Sequence, residues 1–80
     1  LMNELAYITS KIDAEIKELL NYKKSLRKFF YIESIKGKLK AKHFNNIADE
    51  LERLSIEIAN LENQKTEYNN IKELNDTRYQ

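Results

Sequence analysis

His43 is the only histidine in the sequence, and there is no cysteine. A metal site built on a helix needs further ligands three or four residues away, and none of the right type stands there. The Glu-x-x-His spacing is absent as well, so His43 reads as a surface histidine near the middle of the chain. Serine and threonine are scattered with no base beside them, and the single glycine, Gly37, rules out a glycine-rich phosphate loop. The acids between Asp49 and Glu73 mostly fall off the apolar stripe described below, as a solvated helix face does. The expectation is therefore no catalysis, no cofactor and no metal within these residues.

One cluster is chemically different. Arg27-Lys28-Phe29-Phe30-Tyr31-Ile32 places four consecutive apolar or aromatic residues after two cations. A two-helix seam accepts about two residues per heptad, so these four cannot all face a partner helix. The surplus, with Ile35 and Leu39, is expected to form an exposed apolar patch. Two readings stay open: the side chains wrap and close one end of the molecule, or Phe29, Phe30, Tyr31, Ile32, Ile35 and Leu39 contact a second protein. Ile56, at an outward position farther on, adds to the second reading.

The elements that position this cluster follow from periodicity. Leu5, Ile8, Ile12, Ile16, Leu19, Leu26 and Phe30 recur at helical spacing, with Tyr22 read into the longer gap. Phe44, Ile47, Leu51, Leu54, Ile58, Leu61, Lys65 and Tyr68 alternate steps of three and four, with Lys65 the one polar intrusion in that run. After Tyr68 the stripe shifts to Ile71 and Leu74, a stutter. Between the stripes lies Gly37, which takes a left-handed helix cap at little steric cost. The reading is all-α: an antiparallel two-helix coiled-coil hairpin with helix one at roughly 3–32, a tip at roughly 33–40 and helix two at roughly 41–74. Each arm would be about 45–50 Å long at a rise of about 1.5 Å per residue. About a dozen buried Leu and Ile side chains would hold the arms together, at marginal stability.

Composition supports a solvated amphipathic hairpin: 34% of residues are charged and proline is absent. The net charge of +1 hides a polarity. Lys17, Lys23, Lys24, Arg27, Lys28, Lys36, Lys38, Lys40 and Lys42 are opposed in their window only by Glu18 and Glu33, whereas acids prevail towards both ends. In a hairpin the middle becomes the tip, so the tip is basic. Such a tip also suits phosphates, with Tyr and Phe interleaved for base stacking. Protein contact ranks above direct DNA contact here, because the lysines read as spread over every helix face. No apolar run approaches the roughly 18 residues of a membrane span. No membrane association and a cytoplasmic location are expected. The first residue is Leu1 and not a methionine, which suggests an excised module of a larger protein.

At the turn, Gly37-Lys38-Leu39-Lys40-Ala41-Lys42-His43-Phe44 resembles the Gly-x-(Ile/Leu)-x-x-x-x-(Phe/Tyr) segment of large serine recombinases, the phage-type serine integrases. There the segment joins two coiled-coil helices projecting from a zinc-ribbon DNA-binding domain. The run from Asn45 to Glu62 is similar to that family's second arm, and Ile12, Ile16, Leu19 and Leu20 fall in a helix similar to its first. The resemblance implies a non-catalytic part of a DNA recombinase, mediating coiled-coil contacts between subunits in synapsis and directionality. The partners it implies are another copy of the same coiled coil and a recombination directionality factor. Ile35-Lys36-Gly37 also lies where WXG100-like secreted helical hairpins carry Trp-x-Gly, and that reading stays open as the alternative, as does a basic-tipped nucleic-acid-binding coiled coil.

Overall fold

The computed structural model describes residues 2–37 and 40–78. It is an antiparallel hairpin of two long helices, α1 (Met2–Ile35) and α2 (Ala41–Arg78), with principal extents of 62 × 15 × 14 Å. The fold class is the expected one, but both helices run farther than read. α1 continues three residues beyond Ile32 because Glu33, Ser34 and Ile35 contain no breaker. α2 continues to Arg78 for the same reason, so the rod exceeds the expected 45–50 Å.

Gly37 ends α1. Its φ is +68°, in the left-handed region, and its N–H donates to the Ser34 carbonyl at 3.1 Å while Lys36 N–H donates to Ile32 at 3.1 Å. These bonds satisfy carbonyls that the last helical turn would otherwise leave unpaired. At the start of α2, Phe44 N–H donates to the Lys40 carbonyl at 3.0 Å.

The seam is narrow. Leu5, Ile12, Ile16, Leu54 and Ile58 are buried, with Leu54 the most deeply placed at 1% exposure. Ile12 and Ile16 of α1 pack with Ile58 of α2, and Ile8, Leu19, Leu61 and Tyr68 line the edges of that cluster. This is a thinner core than the expected dozen, because a two-helix contact leaves each seam side chain one flank in water.

One seam position differs from the reading. Tyr22 is half exposed, and Lys23 is the partly buried residue between Leu19 and Leu26. From Ile16 onward the seam runs Ile16, Leu19, Lys23, Leu26, Phe30 and Glu33 in steps of three and four, which places position 23 inward and position 22 on the flank. Lysine is tolerated there because its aliphatic stem can lie along the seam while the ammonium stays wet. Farther down, Lys65 is also partly buried, and its Nζ lies 2.7 Å from Asp13 Oδ1 across the seam. Past Tyr68 the stripe leaves the contact, with Ile71 and Leu74 both exposed.

Candidate protein-contact site at the tip

The last two turns of α1 sort the aromatic cluster by register. The seam steps from Leu26 to Phe30, so Phe30 turns inward and is partly buried, its ring centroid 4.9 Å from that of Phe44 in a tilted arrangement at 53°. This pair closes the tip end of the hairpin. The neighbours on either side are carried outward by the helical rotation of about 100° per residue. Phe29 is 53% exposed, Tyr31 66% and Ile35 68%, with Ile32 at 37%. Tyr31 and Ile35 are four apart and share a face; Phe29 and Ile32, three apart, occupy the adjoining one. Of the residues read as a contact patch, Phe30 therefore belongs to the closure, and Phe29, Tyr31, Ile32 and Ile35 face solvent. Leu39 lies outside the described residues. His43 is exposed beside Phe44 on the first turn of α2.

Thr9, Ser55 and Thr66 each donate their hydroxyl to the carbonyl four residues back, at 2.8, 2.9 and 3.0 Å, so these oxygens are tied into their own helix. Among the described residues no group of three acids, histidines or cysteines could hold a metal ion, and no helix is long and apolar enough to cross a membrane.

The charged residues are organised more finely than the sequence reading held. On α2, Arg53 donates to both oxygens of Glu50, at 2.6 and 3.1 Å, and to Glu57 at 2.9 Å. The hydrogen bonds from Arg53 hold the Glu50 carboxyl below the usual carboxylate range, and the two carboxylates push the Arg53 guanidinium up. On α1 three of the cations share one face. Lys17, Lys24 and Lys28 recur seven and four apart on the side away from the seam, with Arg27 beside them, all exposed. Leu20, Asn21, Lys23, Lys24 and Arg27 line an open groove of about 360 Å³ that contains no acid. The reading missed this groove. The spacing of Lys17, Leu20, Lys24 and Arg27 was the signal that could have found it.

No protein-family model, no curated protein and no solved structure matches this chain.

Proposed function

We propose that this hairpin is a non-catalytic protein-contact module that joins a second copy of itself through the end of α1. One observation carries the reading: Phe29, Tyr31, Ile32 and Ile35 stand in solvent within two helical turns, while the hairpin closes without them through Phe30 and Phe44. An apolar group of this size rimmed by charge is characteristic of an interface. Covering two or three of these side chains, after the cost of association, corresponds to a Kd on the order of micromolar to millimolar.

A narrower form of the proposal makes the hairpin the coiled-coil arm of a phage-type large serine integrase. Its support is the turn segment from Gly37 to Phe44, in which the glycine takes the left-handed conformation that such a turn demands. On that reading, arms of subunits bound at two DNA sites meet to hold the synaptic complex, and a directionality factor is the second partner. Recovery of the flanking coding sequence tests the narrower form: a serine catalytic domain and a cysteine ribbon support it, and any other context removes it.

The contact itself is tested by sedimentation equilibrium of the wild type and of a Tyr31→Ala, Ile35→Ala double variant at low and high salt. Lys28 and Lys36 stand one turn before and after Ile32 and repel their counterparts in a tip-to-tip pair, so the part of the association lost in the double variant should strengthen with salt. An unchanged association constant in the double variant refutes the tip contact. A monomer under all conditions, with salt-sensitive retention on DNA, reassigns the tip to phosphates.

A further inference from the structure

We infer that the exposed flank of α1 around Leu20, Lys24 and Arg27 is a docking surface for the outer face of α2 of a second copy, so that hairpins align side by side with their tips at one end. The contact is distinct from the tip patch and does not rest on it. Its first half is the acid-free groove lined by Leu20, Lys24 and Arg27. Its second half is the exposed stripe Asp49, Glu52 and Ile56 on the side of α2 turned away from the seam. Leu20 is 47% exposed and Ile56 56%; Leu20 stands one turn from Lys17, Lys23 and Lys24, and Ile56 one turn from Glu52. Among the described residues no ion pair engages Lys24, Arg27, Asp49 or Glu52, whereas the neighbouring Arg53 is held by Glu50 and Glu57.

The spacings match in antiparallel order. From Leu20 to Lys24 to Arg27 the steps are four and three; from Ile56 to Glu52 to Asp49 they are four and three in the opposite direction. Laid antiparallel, Leu20 meets Ile56, Lys24 meets Glu52, and Arg27 meets Asp49. This sense repeats that of the hairpin's own seam, in which Phe30 meets Phe44 and Ile16 packs with Ile58. Residues paired across each contact lie at nearly the same height, so neighbouring hairpins stand level. A patch on α1 that fits a different patch on α2 is heterologous, so each copy can receive one neighbour and offer itself to another. A row of this kind would present several tip patches together, raising the effective concentration for whatever the tips hold.

The test uses opposite charge swaps, measured by sedimentation in the Tyr31→Ala, Ile35→Ala background so that tip contact is removed. The contact is expected to be weak, with a Kd on the order of 10–100 μM, because one helix face against another buries less than a standard interface. It should weaken as salt is added, the reverse of the tip contact. Lys24→Glu with Arg27→Glu, and separately Asp49→Lys with Glu52→Lys, should each reduce self-association at least tenfold. Mixing the two swapped chains in equal amounts should restore association with the two chains alternating, an outcome that loss of folding could not produce. Failure of the mixture to associate overturns the proposal, as does self-association that neither swap disturbs. A wild type that stays monomeric but is retained on duplex DNA, with retention lost in the Lys24→Glu, Arg27→Glu chain, also overturns it and assigns the groove to phosphates.

Discussion

Replacing Lys65 by leucine should raise the thermal stability of the hairpin. Lys65 occupies a seam position between Leu61 and Tyr68, with its side chain 37% exposed and its ammonium 2.7 Å from the half-exposed Asp13. Full burial of a leucine contributes about 1.5–3 kcal/mol, so a site of this exposure gives about 1–2 kcal/mol. Part of that is already supplied by the lysine stem lying along the seam. Leucine also loses less rotamer freedom than lysine when ordered, a difference of about 0.5–1 kcal/mol in its favour. Against these stands the lost ion pair, which at this exposure is worth about 0–1 kcal/mol. The balance is a gain of about 1 kcal/mol, or about 4–8 °C in Tm for a domain of this length. Far-UV circular dichroism melts at dilute protein concentration measure it without contribution from self-association. Asp13→Asn alone should cost little, and the double variant should melt close to Lys65→Leu, because the pair couples weakly. A Tm that falls in Lys65→Leu would show that the Asp13 contact outweighs seam burial, and the energetic ranking used throughout would be mistaken. The ion pair then acts as a register device held at a cost in stability, as polar seam residues do in coiled coils.

Gly37→Ala should destabilise the hairpin by about 1 kcal/mol, measured by the same melts. Among the described residues no atom beyond its chain neighbours lies within 4 Å of where the new Cβ would stand, so the cost is that of the left-handed backbone; an unchanged Tm would mean that the turn relaxes into another conformation. Acidification should lower helicity as Glu50 titrates. Its carboxyl is held below its ordinary value of 4.5 by Arg53, so its contribution is fully present above that value and is lost as pH falls through the lowered one. Arg53→Ala should flatten that part of the acid transition in a circular dichroism titration, and an identical acid limb in both proteins would deny the triad any role in stability.

The hairpin was legible because its two signals are local. A run from Phe44 to Tyr68 in steps of three and four specifies a helix with one sticky edge, and one glycine between two such edges specifies where the chain turns. Helix ends were less legible, since nothing in Glu33-Ser34-Ile35 argues for or against one more turn. The inward residue near the middle of α1 was misread because hydrophobicity favours Tyr22 while register favours Lys23. Register prevailed, since moving one position inward would displace every seam residue around it. The same rule decides between Phe29 and Phe30. Counting from Ile16 in alternating steps of three and four, as the seam runs, reaches Phe30 and passes over Phe29, so the aromatic that closes the hairpin and the aromatic left in solvent are distinguishable by position.

The partition of charge has a consequence for the two contacts taken together. Arg53 is neutralised within α2 by Glu50 and Glu57, so the outward acids Asp49 and Glu52 remain uncompensated beside it. On α1 no acid enters the groove beside Lys24 and Arg27. A chain of net charge +1 thus keeps two faces of opposite sign on different helices, a dipole across the rod that a random scatter of the same residues would cancel. Tip-to-tip contact brings like charges together and gains from salt, whereas side-by-side contact brings unlike charges together and loses from it. A wild-type association constant that passes through a minimum as salt is raised would therefore report both contacts acting in one molecule. The Tyr31→Ala, Ile35→Ala chain should show only the falling limb, and the Lys24→Glu, Arg27→Glu chain only the rising one. If both variants kept the minimum, neither surface would be the source of the salt dependence.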